Sequence, residues 1–220
     1  MGKITKLLDQ VYDTLLACYG PQYWWPGETP FEVMVGAVLA QATSWSNAEK
    51  AISNLKRAGT LSPKAIRDQP IERLALLVRP SGFFNAKAEK LKALAWWIGE
   101  KGDHTDAVLR APTLQLRNEL LGIRGIGPET ADSILLYAAR KPVFVVDAYT
   151  CRFAFRLGIA EEKSNYGELQ RVFAENLPSS AVLFNEYHAL LVQLGKNRCR
   201  KVSQCDRCCL VELCQNKPKD

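Results

Sequence analysis

No stretch of this 220-residue chain stays apolar long enough to cross a bilayer. The longest run without charge or strong polarity in its first half is VMVGAVLA, residues 33–40, where a spanning helix needs roughly 20. The N-terminal MGKITKLLDQVYDTLL lacks the apolar centre and small-residue cleavage site of a secretory signal. No membrane partner is expected, and the cytoplasm is the expected location. Histidine is scarce: only His104 and His188 occur, neither inside a motif. The only convincing β-like run is PVFVV, residues 142–146, too short to build a sheet. No internal repeat or low-complexity segment stands out.

What is present reads as helix almost throughout, and the expected class is all-α. Thr29-Pro30-Phe31-Glu32 has the form of a capping box with proline at the first helical position, opening FEVMVGAVLAQAT. That helix is apolar nearly all round, so it should be central and buried. Ser62-Pro63 and Thr113 mark further starts, and Asn85 is placed to cap the stretch 86–99. Pro128 starts a helix that should end before Pro142. Asp147 sits at the N-cap of AYTCRFAFRL, which Gly158 closes. Two more helical stretches follow, near 165–176 and 181–194. On their helices, Cys18 and Cys151 read as inert core residues, and at least one of Trp96 and Trp97 as core.

Between two of these helices stands GIRGIGPET, with Gly122, Gly125 and Gly127 inside six positions. Glycine at this density lets the backbone take positive φ and approach another molecule closely. The helix behind it offers unpaired amides and the positive end of a dipole, so the stretch reads as a phosphate seat. The net charge of +6 agrees with a polyanionic partner, and residues 196–220 hold +4 of it. A solvated basic tail would look the same.

Five of the seven cysteines crowd into CRKVSQCDRCCLVELC, residues 199–214. Cys199, Cys205, Cys208 and Cys214 stand in C-x5-C-x2-C-x5-C order, with Cys209 as a rival for the third place. In a cytoplasmic chain this spacing suits metal binding over disulfides. One tight pair between wide spacers favours a [4Fe–4S] cluster, with zinc as the alternative. A structural staple for a basic loop is the role preferred.

Taken in order, LLGIRGIGPETADSILLYA, the aspartate of VVDAYTCR and the cysteine tail resemble the endonuclease III or HhH-GPD superfamily of DNA glycosylases. YWWPGETPFEVMVGAVLAQAT, VRPSGFFNAKAEKL and GIGPETADSILLYA look like its 3-methyladenine DNA glycosylase III branch. The tail is similar to endonuclease III, its first spacer one residue short, and Arg124 replaces a frequent proline. The resemblance implies a two-lobed helical fold, with a barrel over 30–136 that ends in the helix–hairpin–helix. Residues 1–29 and 137–220 would form the second domain with the cluster loop. It implies a monomer acting on duplex DNA that contains a damaged base, associated with the nucleoid.

The resemblance also assigns roles. Asp147 matches the catalytic aspartate, which would stabilise positive charge on the sugar as the base leaves; as a bare sequence feature it is a helix cap. Glu129 falls where bifunctional members carry a Schiff-base lysine, and a carboxylate cannot form that imine. AP-lyase activity is therefore not expected. An acid beside a phosphate seat would repel DNA, so Glu129 is better aimed at a cationic base, although any first-turn acid helps a helix. Trp24, Trp25, Pro26 and Trp45 would line that base pocket, where indoles attract a cationic purine; plain core is the competing reading. Gln41 would fill the gap left by the flipped base, and Arg124 would join the glycines in binding DNA. The expected activity is monofunctional excision of alkylated bases such as 3-methyladenine. The rivals are a glycosylase for oxidised pyrimidines or mismatched bases, and a non-enzymatic iron–sulfur DNA-binding protein.

Overall fold

Most of the helix starts written in the sequence are used. A computed structural model describes residues 2–25 and 27–216; Pro26, expected in the base pocket, lies outside the described residues. In chain order the helices are α1 (Lys3–Tyr19), α2 (Pro30–Leu39), α3 (Trp45–Arg57), α4 (Pro63–Asp68), α5 (Ile71–Leu77), α6 (Phe84–Gly99), α7 (Thr105–Leu109), α8 (Thr113–Gly122), α9 (Pro128–Ser133), α10 (Ala148–Leu157), α11 (Tyr166–Asn176) and α12 (Ala181–Asn197). Short 3₁₀ turns occupy Arg79–Ser81 and Cys205–Arg207. The described residues contain no strand, and the fold is all-α. The helices form two units. One, Trp25–Lys141, holds α2–α9; the other joins Met1–Trp24 to Pro142–Asp220 and holds α1 and α10–α12.

In the α2–α9 unit, α2 is the central helix. Every residue from Phe31 to Leu39 is buried, and neighbours include α3, α6, α7 and α9. Each large apolar side chain buried this way stabilises the fold by about 1.5–3 kcal/mol. The cap differs slightly from a full capping box. Thr29 Oγ1 accepts from the Glu32 amide, but the Glu32 carboxylate turns to the Glu28 amide and to Lys56. The helix was expected to run to Thr43; it ends at Leu39, and Ala42 takes a left-handed φ of 50°.

The next helix also departs from its expected start. Asn85 does not cap α6; the helix begins at Phe84, behind Phe83 at φ 44°. Lys87 supplies a physical reason. Its side chain is buried and its Nζ donates to Leu39 O at 2.9 Å and Ser81 O at 2.6 Å. One ammonium thus closes the last turn of α2 against the 3₁₀ turn before α6. Burial, then the charge of Lys90, draws its pKa down to about 8. Further along α6, neither Trp96 nor Trp97 is core: Trp96 is exposed under the Arg67 guanidinium and Trp97 is half-buried near Lys101.

The helix from Pro128 was read as one piece. Instead α9 passes at Ile134 into a π-helical segment, Ile134–Ala138, closed by Ala139 N–H donating to Ile134 O. The wider turn carries Tyr137, which is buried.

In the other unit α12 is central, packing on α1 and α10. PVFVV contributes its side chains, not a strand: Phe144, Val145 and Val146 are buried, and Phe144 stacks on Phe173 with centroids 4.1 Å apart. Tyr187 crosses this core to donate to Leu8 O at 2.9 Å. Gly195 permits a close helix contact, since a Cβ there would meet Tyr149 Cδ1 at 2.2 Å. Cys18 and Cys151, expected in the core, are both exposed. Cys18 lies in the last turn of α1, beyond Leu8, Val11 and Leu15, which are the buried residues of that helix.

Candidate active site

The hairpin between α8 and α9 is held from inside the protein. Ile123 and Ile126 point inward and are buried, and the Ile126 amide closes a turn on Ile123 O. Arg117 grips the fully buried Asp132 with two bonds, Nε–Oδ1 at 2.6 Å and Nη2–Oδ2 at 3.0 Å, so α8 and α9 are clamped together. Gly125 takes φ +86°, a conformation that side chains resist. Gly122 and Gly127 have ordinary φ, and a Cβ on either would meet nothing within 4 Å. Arg124 is exposed, with Glu89 at 3.6 Å. Gly127 supplies no side-chain cap to the first amides of α9.

Gln41 joins this edge. Its Nε2 donates to Gly125 O at 3.2 Å and Thr130 Oγ1 at 2.9 Å, while its Oε1 accepts from Lys90. It is a bridge from the end of α2 to the hairpin. Sequence reasoning missed Phe83. It is 73% exposed in a left-handed conformation, and the Lys87 bonds hold its loop beside the end of α2 that bears Gln41. A large exposed aromatic in strained backbone was not legible in GFFN.

The tryptophans divide between the two units. Trp25 meets Trp45 edge-on, centroids 4.9 Å apart, and Tyr137 at 4.8 Å. Gly36 makes room, since a Cβ there would sit 3.2 Å from Trp25 Nε1. Trp24 belongs to the other unit, with the Lys196 ammonium 5.5 Å from its ring. Glu129, in the first turn of α9, is exposed, and its carbonyl accepts from Ser133.

Asp147 caps α10. Its Oδ1 accepts from the Thr150 amide at 2.7 Å and hydroxyl at 2.9 Å. Its Oδ2 lies 3.6 Å from His188 Nε2. Burial opposes ionisation of this carboxyl, but His188 and Thr150 outweigh it and hold the pKa below the ordinary value. Lys196 belongs to the same neighbourhood: burial lowers its pKa and the Asp147 charge opposes that. Neither His188 nor Lys196 was singled out in the sequence as a site residue, because α10 and α12 bring them to Asp147 from forty or more positions away.

The four cysteines in C-x5-C-x2-C-x5-C order line one cavity, with Arg156, Arg198, Ser203 and Gln204. Arg156 is buried and its Nη1 lies 3.2 Å from Cys199 Sγ, while Arg152 donates to Cys199 O at 2.7 Å. Cys209 points elsewhere, toward a hydrogen bond with Cys18, and burial followed by that neighbour pushes its pKa up to about 12. Among the described residues no three His, Cys, Asp or Glu side chains converge on a single-ion position.

An all-α fold that presents a clamped glycine hairpin and a half-buried capping aspartate matches a defined class. The family model of the HhH-GPD superfamily base excision DNA repair proteins matches residues 35–179, and the chain belongs to that family. A protein of Methanocaldococcus jannaschii named "Putative DNA repair glycosylase MJ1434" is 46% identical, over 96% of this chain and 97% of that one. Endonuclease III of Sulfolobus acidocaldarius is 28% identical, over 84% and 81%. Among solved structures, the 3-methyladenine DNA glycosylase of H. pylori bound to 1,N6-ethenoadenine has a TM-score of 0.75 at 32% identity, over 88% and 97%. The chain is a DNA repair glycosylase of the HhH-GPD superfamily.

Proposed function

We propose that the enzyme excises alkylated bases, such as 3-methyladenine, from duplex DNA by hydrolysis alone, without strand cleavage. The observation that carries this reading is Asp147: a half-buried carboxylate whose pKa is held below the ordinary value, with one oxygen fixed by Thr150 and the other directed away from the cap. The likeness to the H. pylori glycosylase and the indole pair Trp25–Trp45 with Tyr137 support the substrate class.

The chemistry follows from the leaving group. The target nucleotide must leave the stack to reach a pocket. An N-alkylated purine is already cationic, so it takes the electron pair of the C1′–N bond and departs neutral without a proton donor. Positive charge develops on the sugar, where the Asp147 carboxylate stabilises it in a water-poor setting. Water then adds to C1′ and gives up one proton to solvent. The hairpin amides and Arg124 hold backbone phosphate, which positions the duplex but reads no base. Gln41 and the exposed Phe83 are placed at one edge of the α2–α9 unit, where they would occupy the space left in the stack. Glu129, a carboxylate where an imine-forming amine would be needed, serves base selection.

Cys199, Cys205, Cys208 and Cys214 would hold a [4Fe–4S] cluster. Thiols around a cavity suit a polynuclear body better than one zinc ion, and the buried Arg156 offsets thiolate charge. When bound, the cluster would staple the 199–214 loop to α10 and take no part in the reaction.

The test is a base-release assay on a panel of defined lesions, with strand cleavage scored separately on denaturing gels. Release of methylated purines with intact strands, and no borohydride-trapped protein–DNA adduct, is the expected result. A strong adduct would withdraw the hydrolysis-only reading and point to Lys196, the amine in Asp147's neighbourhood.

A further inference from the structure

Lys87 holds three carbonyls that belong to two segments. Its side chain is 1% exposed, and its Nζ donates to Leu39 O at 2.9 Å and to Ser81 O at 2.6 Å. Its backbone amide donates to Phe83 O at 3.0 Å. The carbonyls on either side of Gly82 are therefore held by the same residue. Between them the chain takes two left-handed residues in succession, Gly82 at φ 68° and Phe83 at φ 44°. The Phe83 side chain stays in solvent, 73% exposed. Ser81, fully buried, anchors the turn from behind through its hydroxyl on Val78 O at 2.7 Å. A strained tip that keeps an aromatic ring in water persists only under such restraint.

We propose that Lys87 is a positioning residue for opening the base stack: it holds Phe83, and the end of α2 that bears Gln41, at the spacing with which the two side chains enter the duplex. The inference rests on the reading of Gln41 and Phe83 as the groups that fill the space a flipped base leaves. Gln41 follows α2 by two residues, so the bond to Leu39 O fixes the backbone from which it projects. Its side chain is fixed by Lys90, one turn further along α6, whose Nζ donates to Gln41 Oε1. Two lysines of one helix thus set both projections before DNA arrives. Groups ordered in advance do not have to be ordered on binding.

A buried site that only needed filling would take an apolar side chain, because an ammonium out of water is costly unless its protons are bonded. Burial, and then the nearby charge of Lys90, work against this one. Two carbonyls offset that cost, and one of them ends α2, where the helix dipole favours a cation. The position is therefore explained by the two segments it joins. Lys90 does not duplicate the clamp: its Nζ is on Gln41, and its stem lies over Gly125, where a Cβ would meet Lys90 Cγ at 2.5 Å.

The test compares binding to an undamaged duplex with binding to one that carries a tetrahydrofuran abasic analogue opposite 2-aminopurine, whose fluorescence rises when it is unstacked. Lys87→Met should bind the tetrahydrofuran duplex about tenfold more weakly than the wild type and lose the fluorescence rise. Its affinity for undamaged duplex, set by phosphate contacts, should stay within about twofold. A merely structural lysine would weaken both duplexes together, and that result overturns the proposal. In a background of Gln41→Ala with Phe83→Ala, Lys87→Met should cost less than about twofold more, since it acts only through those two side chains. An undiminished further loss there also overturns it. The double variant separates the two levels. If it binds and unstacks like the wild type, the stack-filling reading itself fails. If it is weak while Lys87→Met behaves as the wild type, only the role of Lys87 fails. Should Lys87→Met not fold, the wild-type protein decides. At about pH 6 the Lys87 ammonium is charged, and its protons, observed by NMR, should exchange slowly with water both in the free protein and on the tetrahydrofuran duplex. Fast exchange in the complex would mean that the clamp opens as DNA is engaged, and overturns the proposal.

Discussion

At the residue scale, one side chain is a helix cap and, in the function proposed, the catalytic charge, and the two roles can be separated by a single atom. In Asp147→Asn the amide oxygen can still accept from the Thr150 amide and hydroxyl, so α10 keeps its cap, whose loss would cost about 1 kcal/mol. What disappears is the negative charge. The variant should melt near the wild type and bind lesion-containing duplex, yet lose about a hundredfold to a thousandfold in single-turnover excision. Weak binding together with weak excision would instead mark Asp147 as a structural residue. Glu129→Gln separates a different pair of roles. If the exposed carboxylate meets a cationic base, the variant should lose about tenfold to hundredfold in discrimination between methylated and normal adenine. Its affinity for an abasic-site analogue should stay nearly intact. Equal losses for every duplex would make Glu129 a simple first-turn acid.

At the element scale, the three hairpin glycines are not equivalent. Gly125 is demanded by the fold itself, through φ +86° and through Lys90, whose side chain a Cβ would meet at 2.5 Å. Gly127 has φ −94° and open space where a Cβ would go. Gly125→Ala should thus lower stability by about 1–2 kcal/mol, read by urea denaturation, and weaken DNA binding as a consequence. Gly127→Ala should leave stability unchanged and still weaken binding to damaged and undamaged duplex alike, because only an approaching phosphate needs that space. Unchanged DNA affinity in Gly127→Ala would remove this amide edge from the interface. Local chemistry made most elements legible: the caps at Thr29, Ser62, Asp147 and Asn165 are side chains bonded to the amide three residues ahead. The elements misjudged are those governed by distant partners. α6 starts early where Lys87 reaches the end of α2, and the π segment carries Tyr137 against Trp25; neither dependence is visible in a local window.

At the scale of the whole molecule, each unit carries a different share of the candidate site residues. The α2–α9 unit holds the hairpin, Gln41, Phe83 and the Trp25–Trp45 pair. The other holds Asp147, His188, Trp24 and the cysteine cavity. Asp147 and the cysteines were legible because each sits in a short stretch with its own spacing. His188 was not, because only the packing of α12 on α10 makes it a neighbour of Asp147. The choice between Cys208 and Cys209 was equally closed to spacing, since adjacent residues leave nearly the same intervals. The fold separates them, sending Cys208 into the cavity and Cys209 toward Cys18. That separation makes the cofactor assignment testable residue by residue. Protein purified without oxygen should be brown, with the visible absorption of an iron–sulfur chromophore and about four irons per chain. Cys205→Ser and Cys208→Ser should both lose colour and iron, and should also melt earlier, because the 199–214 loop would lose its attachment at Arg152 and Arg156. Cys209→Ser should keep both, since its thiol faces away from the cavity. A colourless protein with one zinc per chain would replace the cluster with the simpler metal. A brown Cys208→Ser beside a colourless Cys209→Ser would show that the loop closes around the cofactor in the other register.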